Sequence, residues 1–159
     1  MKYRTGIGYD VHQLRDGLPF YLGGVKVEHT KGAVGHSDAD VLIHAVCDAL
    51  FGAANLGDIG KHFPDTDVKY KGIDSKILLK ETYELVKKKG YVIENIDTVL
   101  CLQKPKVAPY LPLMKTTLSN VLGINEDDIS IKATTTEHLG FEGREEGVSA
   151  LANVLIKTE

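Results

Sequence analysis

The sequence predicts an α+β fold, a two-layer sandwich in which helices cover one face of a mixed β-sheet. Apolar residues recur at helical spacing in three segments, and they alternate or run continuously in segments rich in Val, Ile and Thr. The resulting order is strand, hairpin, helix, helix, strand, helix, strand, strand. Nothing in the chain is left over to cover the second face of the sheet, so we expect an oligomer packed sheet against sheet.

The composition indicates a single domain over residues 1–159. Hydrophobic residues make up 43% and charged residues 26%, which is ordinary for a globular protein. The net charge of −3 supplies no general field for nucleic acid or acidic membranes, so an anionic substrate must meet local charges or a metal. No apolar run approaches ~20 residues, and Cys47 and Cys101 lack metal or redox spacing. We therefore expect a cytoplasmic protein with two reduced thiols.

The first half of the chain carries most of the candidate functional residues. The predicted elements are a strand over residues 4–14, a hairpin over 20–27 around a Gly-Gly turn, a loop over 29–35 and a helix over 38–51. Ser37 is the predicted N-cap of that helix. Glycine, proline and acidic residues interrupt residues 52–71, which indicates a long binding loop.

The second half supplies the rest of the sheet and two more helices. The predicted elements are a helix over 75–89, a strand within 91–103, a helix over 110–122, a strand over 129–133 and, after a glycine-rich loop, a strand over 148–156. Small apolar residues occupy both faces of the last strand, which indicates a central position in the sheet or an interface.

Asp10, His12 and His44, named here the metal triad, are the strongest candidate site. Asp10 and His12 are two residues apart on a predicted strand, so their side chains point to one face. His44 lies on the next helix, in line with Asp40 and Asp48. Three such ligands leave one position open, the pattern of catalytic rather than structural zinc. The alternative is an exposed polar pair beside a core histidine satisfied by hydrogen bonds.

Three further groups could bind a phosphorylated ligand. His36 precedes a helix N-terminus, where backbone N–H groups attract anions; plain capping is the alternative. The hydroxyls of residues 134–136 could surround phosphate oxygens, although threonine is also an ordinary strand residue. Arg144 has the planar fork that matches phosphate, unless it only pairs with Glu146 on the surface. The turn at 105–109 could shape a shallow base pocket, or be a proline-punctuated turn with a solvated lysine.

Taken together, the motifs resemble the 2-C-methyl-D-erythritol 2,4-cyclodiphosphate synthase family of non-mevalonate isoprenoid biosynthesis. They occur in the family's order and cover nearly the whole chain. Each motif alone is a weak signal, but the set is specific. The matching segments are GIGYDVH (6–12), HSDAD (36–40), HAVCDALFG (44–52), LGDIG with FPD (56–60 and 63–65), KATTTE (132–137) and LGFEGREEG (139–147).

The resemblance implies a homotrimer whose sheets face one another around a three-fold axis, with active sites between neighbouring subunits. It implies a phosphorus–oxygen lyase whose substrate is 4-diphosphocytidyl-2-C-methyl-D-erythritol 2-phosphate. In that reaction the substrate's own 2-phosphate attacks the β-phosphorus, which closes the cyclodiphosphate ring and releases CMP.

The resemblance also implies metals and roles for particular residues. The metal triad matches the family's zinc ligands. Glu137 matches a residue that helps to hold a second ion, magnesium or manganese, between the α- and β-phosphates. His36 and Thr135 match positions that stabilise the transition state.

The implied substrate contacts fall in three regions. Residues 102–108 form the base pocket, the segment 58–65 holds the methylerythritol moiety, and Arg144 with Glu146 lies near an axial channel that sometimes holds isoprenoid diphosphates. The full set of implied contacts is Ser37, Asp58, Ile59, Gly60, Phe63, Pro64, Asp65, Leu102, Lys106, Val107, Ala108, Ala133, Thr134, Thr135, Thr136, Glu137, Phe141 and Arg144. The departures from the family are Leu102, Gln103, Lys104 and Val107. Cytosine selectivity should survive them if backbone atoms contact the base. His62 is interpreted as a variable position that binds no metal.

Two other functions stay open at this point. A zinc hydrolase such as a phosphatase would use the open position for water, although no obvious second base accompanies the metal triad. A non-catalytic trimeric binding module is the other, since α+β sandwiches often serve that way. Release of inorganic phosphate would indicate the hydrolase, and tight binding without turnover would indicate the module.

Overall fold

The computed structural model describes residues 1–159 and contains a five-stranded sheet, a separate two-stranded hairpin and five helices. The strands are β1 (Tyr3–Asp16), β2 (Tyr21–Leu22), β3 (Val25–Lys26), β4 (Lys31–Ala33), β5 (Tyr91–Cys101), β6 (Ile129–Thr134) and β7 (Gly147–Thr158). The helices are α1 (Val41–Ala53), α2 (Ile59–His62), α3 (Ser75–Lys88), α4 (Leu111–Leu122) and α5 (Gly140–Gly143), with 3₁₀ turns at Val68–Tyr70, Ala108–Tyr110 and Glu126–Asp128.

The main sheet has the strand order β4-β1-β7-β5-β6 and is mixed. The pairs β1–β4, β1–β7 and β5–β7 are antiparallel, whereas β5 and β6 run parallel. β7 is the central strand, as its small apolar residues predicted. The predicted mixed α+β fold is confirmed.

The two faces of the sheet differ in what covers them. Along β7 the side chains from Val148 to Ile156 at alternate positions are buried against the helices, and α1 is buried along most of its length. The opposite face leaves large apolar side chains in the open. These are Ile7, Tyr9, Val11 and Leu151, exposed by 70%, 53%, 45% and 41%.

Two glycines let α1 lie directly on β1. A Cβ atom at Gly8 would lie 1.9 Å from the carbonyl oxygen of Ala45, and one at Gly6 would lie 2.0 Å from that of Ala49. Both distances are far below van der Waals contact, so only glycine allows this approach. The close packing brings the helix that carries His44 onto the strand that carries Asp10 and His12.

The N-terminus of α1 differs from the prediction. The helix begins at Val41 rather than near residue 38, and its cap is Asp40, whose side chain accepts the N–H of Ile43. Ser37 instead accepts the N–H of Ala39 at 3.1 Å within the preceding turn. The prediction of Ser37 as N-cap is therefore wrong, because Asp40, another good capping residue three positions later, caps the helix instead.

Short elements lie where the sequence predicted only loops. β4 falls within the predicted loop 29–35 because it pairs with the end of β1, with Leu14 opposite Ala33. α2 and a 3₁₀ turn interrupt the predicted loop 52–71, and Asp58 caps α2 by accepting the N–H of Lys61. Elements of two to four residues are too short to show a hydrophobic period. None of the helices is both long and apolar enough to cross a membrane.

Candidate metal centre and phosphate-binding clefts

The metal triad comes together at the contact between β1 and α1. His12 Nε2 lies 2.9 Å from Asp10 Oδ2, His44 Nδ1 lies 3.1 Å from the same oxygen, and the two nitrogens are 3.1 Å apart. The period of two on β1 puts Asp10 and His12 on the helix-facing side of the sheet, as predicted. The structure thus converges one atom of each side chain on a single point.

The spacing of these three atoms fits a tetrahedral metal ion. Ligand bonds of ~2.0–2.1 Å at tetrahedral angles separate the ligand atoms by roughly 3.3 Å. The observed separations of 2.9–3.1 Å are only slightly shorter. One carboxylate and two imidazoles are also a donor set that zinc accepts, and three ligands leave a fourth position for another molecule.

The electrostatics of the metal triad favour bound positive charge. Burial opposes ionisation of Asp10, but hydrogen bonds and attraction from His12 and His44 lower its pKa to about 2. Burial likewise opposes protonation of His12, but the contact with Asp10 raises the pKa of the imidazole. His12 Nδ1 donates to the carbonyl of Val34 at 2.9 Å, which leaves a lone pair on Nε2 of the neutral ring to face the triad.

Asp40, His44 and Asp48 were expected to line one side of α1, but only one of the three side chains belongs to the metal triad. His44 faces the metal triad. Asp40 turns away and accepts backbone N–H groups of the β2–β3 turn, at Gly23 and Gly24. Asp48 accepts the N–H of Ile59 at 3.0 Å and thereby ties α2 to α1. The two acids hold surrounding segments in place rather than adding ligands.

A cleft of about 450 Å³ opens beside the metal triad. The residues that line it, besides the triad, are Gly35, His36, Ser37, Ile59, Gly60, Phe63, Pro64, Asp65, Tyr70 and Leu78. Most of the predicted contacts of the segment 58–65 are therefore gathered here. His36 Nε2 also donates to the carbonyl of Asp67 at 2.9 Å, which fixes the imidazole against the wall of the cleft.

A second, smaller cleft of about 190 Å³ contains the predicted base pocket. Its lining residues are Leu102, Gln103, Pro105, Lys106, Val107, Ala108, Ala133, Thr134 and Thr135. It shares no residue with the first cleft. Within one chain, the residues predicted to contact the substrate thus form two separate groups.

Five predicted contacts line neither cleft. One is Asp58, the cap of α2 described above. Thr136 donates its hydroxyl to the carbonyl of Leu139 at 2.5 Å, and Glu137 is exposed with a left-handed backbone (φ 55°). Phe141 packs beside Gly147, where a Cβ would lie 2.8 Å from the ring. Arg144 forms two hydrogen bonds, of 2.9 and 3.1 Å, with the carboxylate of Glu146. The structure therefore contains the Arg144–Glu146 surface pair, which was the alternative interpretation of Arg144 from the sequence.

Several cleft residues were not predicted from the sequence. Gly35, Tyr70 and Leu78 line the first cleft, and the Ser75 hydroxyl lies 3.0 Å from His44 Nε2. The sequence carries no signal for Gly35 as a cleft residue, because the need for a small residue there is seen only in the structure: a Cβ at Gly35 would lie 3.1 Å from the His12 ring. Ser75 carries no signal either, since its contact with His44 joins two helices that are far apart in the sequence.

The fold and the metal triad together define a class: an α+β protein with a three-ligand metal-binding group, as metal-dependent enzymes have. Within that class the chain belongs to the YgbB family, whose pattern matches residues 3–157. The family resemblance predicted from the motifs is confirmed.

Named relatives and solved structures agree with this assignment. A Bacteroides thetaiotaomicron protein named 2-C-methyl-D-erythritol 2,4-cyclodiphosphate synthase is 61% identical over 159 residues, 100% of each chain. A solved structure of 2C-methyl-D-erythritol-2,4-cyclodiphosphate synthase in a CDP-bound form is 38% identical, with a TM-score of 0.90 over 97% of this chain and 100% of that one. The bifunctional IspDF of Campylobacter jejuni is 43% identical, with a TM-score of 0.96 over 99% of this chain and 43% of that one.

Proposed function

We propose that the chain forms 2-C-methyl-D-erythritol 2,4-cyclodiphosphate and CMP from 4-diphosphocytidyl-2-C-methyl-D-erythritol 2-phosphate, a lyase step of isoprenoid biosynthesis. The observation that carries the proposal is the full-length 61% identity to a relative of that name, with the metal triad assembled. The CDP-bound form of a similar structure also supports a cytidine diphosphate substrate. The two free thiols, Cys47 and Cys101, suit the reducing cytoplasm in which we place the protein.

The reaction exchanges one phosphorus–oxygen bond for another. An oxygen of the 2-phosphate bonds to the β-phosphorus while the bond from the β-phosphorus to the oxygen shared with CMP breaks, and that oxygen leaves with CMP and the electron pair. No protein nucleophile is needed, so positioning and charge stabilisation provide the catalysis. We assign charge stabilisation to His36 and Thr135, which come from the two different clefts.

The metal triad would hold zinc through Asp10 Oδ2, His12 Nε2 and His44 Nδ1. Zinc in such a site supplies a Lewis acid and a template for phosphate oxygens. Glu137, exposed beside the second cleft, would help to hold magnesium or manganese, which prefer carboxylate and phosphate oxygens.

The remaining contacts divide between the clefts. The first cleft would bind the methylerythritol moiety through Ser37, Ile59, Gly60, Phe63, Pro64 and Asp65, together with Asp58, the cap of α2. The second would bind the cytidylyl group through Leu102, Lys106, Val107, Ala108, Ala133, Thr134 and Thr135. Thr136, Phe141 and Arg144 would complete the surroundings, and the Arg144–Glu146 pair would lie at an axial channel open to isoprenoid diphosphates.

We further propose a homotrimer with each active site between two subunits. Val11, Ser149, Cys101 and Thr134 form one row across four strands, so β1 and β6 are three strand spacings apart, roughly 14 Å. One chain's metal triad is thus well separated from its own base pocket. A neighbouring subunit that packs on the open apolar face of the sheet can bring its second cleft to the triad.

The proposed activity is tested by incubating purified protein, loaded with zinc and magnesium, with the cytidylyl substrate. We expect CMP and the cyclic diphosphate in equal amounts, identified by phosphorus NMR and mass spectrometry. Release of inorganic phosphate would contradict the proposal and indicate a hydrolase. Tight substrate binding without turnover would replace it with a binding module.

The zinc assignment is tested by His44→Ala. We expect loss of bound zinc and of activity with the fold retained, because an open three-ligand site is catalytic rather than structural. Zinc content by atomic emission and thermal unfolding are the measurements. His62→Ala is the matched control, since that imidazole stacks on Phe51 at 4.2 Å and does not belong to the metal triad. One zinc per subunit retained in His44→Ala would contradict the assignment.

A further inference from the structure

We infer that Ser75 and Asp38 are positioning residues that fix the ring of His44 for metal binding, an inference that rests on the proposed zinc site. Ser75 is the first residue of α3 and is fully buried. Its hydroxyl oxygen lies 3.0 Å from His44 Nε2. The same hydroxyl donates to Asp38 Oδ1, and the backbone N–H of Ser75 donates to Asp38 Oδ2 at 2.9 Å.

The carboxylate sets the direction of this hydrogen-bond chain. A carboxylate oxygen only accepts, so the Ser75 hydroxyl must give its proton to Asp38. The Ser75 oxygen then has only lone pairs to offer His44. Nε2 of His44 must therefore carry a proton and donate it to Ser75, so in the neutral ring Nδ1 carries none.

Ser37 alone does not settle the same choice. Its hydroxyl also lies 3.0 Å from His44 Nε2 and accepts the N–H of Ala39. The hydroxyl proton of Ser37 has no other assigned acceptor, so Ser37 could donate to His44 or accept from it. Of the partners of Nε2, only the Ser75–Asp38 pair requires a proton on that nitrogen. Without a metal, the Asp10 carboxylate, 3.1 Å from Nδ1, competes for a proton on the other side of the ring.

The selected tautomer is the one that a metal needs. His44 Nδ1 is the atom that lies 3.1 Å from Asp10 Oδ2 and 3.1 Å from His12 Nε2. A histidine binds a metal through an unprotonated nitrogen. Partners on the other ring nitrogen fix the ring orientation, and their loss typically weakens metal binding 10–100-fold.

We expect Ser75→Ala to weaken zinc binding 10–100-fold, measured by competition with a chelator of known affinity. Thr82→Val is the matched control. Thr82 is buried on the same helix and donates to the carbonyl of Leu78 at 2.8 Å, without a hydrogen bond to the metal triad. A merely structural role for Ser75 would make both variants lose thermal stability with zinc affinity unchanged. That outcome would overturn the inference.

A second measurement removes the competing acceptor of Nδ1. In metal-free Asp10→Ala protein at pH 9, where an ordinary histidine is neutral, nitrogen NMR shifts report which nitrogen of His44 carries the proton. We expect a protonated Nε2 and an unprotonated Nδ1. The opposite tautomer would overturn the inference even if the wild-type protein binds zinc. If instead the tautomer is as expected but the wild-type protein does not bind zinc, the proposed zinc site fails and the hydrogen-bond chain stands.

Discussion

Asp40 illustrates at the scale of one residue how a buried charge can serve the fold beside a functional site. Its side chain is fully buried, and that burial raises the pKa of the carboxyl despite hydrogen bonds that oppose the shift. The carboxylate accepts three backbone N–H groups, from Gly23, Gly24 and Ile43, at 2.7–3.0 Å. One side chain thus caps α1 and attaches the β2–β3 hairpin to it.

Asp40→Asn is expected to lower the free energy of unfolding by about 1–3 kcal/mol, the cost of leaving a buried donor unpaired. Because both carboxylate oxygens accept a backbone N–H, the new NH₂ group must face a donor in either orientation. Urea unfolding gives the measurement. Asp48→Asn is the control, since the single hydrogen bond to Ile59 can be kept by the amide oxygen. An equal loss in both variants would contradict this account.

The elements that the sequence predicted well are the long ones, in which the hydrophobic periodicity extends over many residues. The period of two on β1 and the apolar stripe of α1 were enough to place Asp10, His12 and His44 on facing surfaces. The choice of helix cap was not predictable from local pattern, because Ser37, Asp38 and Asp40 all suit the role. The glycine N–H groups of the distant hairpin decide it in favour of Asp40. Contacts between different elements, such as that of Ser75 with His44, produce no regular spacing in the sequence from which they could be predicted.

The contact between β1 and α1 is the element-scale feature on which the metal triad depends. The carbonyl oxygen of Ala45 lies where a Cβ of Gly8 would be, so any larger residue must push α1 away from the strand. His44 moves with α1, whereas Asp10 and His12 stay on β1. Stability and zinc affinity should therefore fall together when this contact is opened.

Gly8→Ala is expected to reduce the free energy of unfolding by about 1–3 kcal/mol or more, as overpacking does, and to weaken zinc binding. Thermal unfolding and chelator competition give the two readings. Gly52→Ala is the control: its Cβ would meet only the carbonyl oxygen of Ile7, at 3.9 Å. Alanine at that exposed helix position should raise stability by about 0.5–1 kcal/mol. Normal zinc affinity in a destabilised Gly8→Ala protein would show that the metal triad does not depend on the close contact between β1 and α1.

At the scale of the whole molecule, the proposed trimer would account for both the open sheet face and the division of the site between two clefts. Soluble monomers rarely expose large contiguous apolar patches. Ile7, Tyr9, Val11 and Leu151 lie on neighbouring strands, with Tyr9 directly opposite Leu151 in the β1–β7 register. A trimer packed through this face would bury the patch. It would also unite the metal triad of one chain with the base pocket of the next.

Leu151→Glu is the sharpest test of that assembly, because a carboxylate cannot be buried in an apolar interface without a partner. We expect the variant to sediment as a monomer and to lose turnover, yet to bind one zinc per chain, since the metal triad comes from a single chain. Leu113→Glu is the control: Leu113 is 56% exposed but lies on α4, away from the open sheet face. A trimeric Leu151→Glu protein would exclude this face as the interface, and an active monomer would exclude active sites shared between subunits.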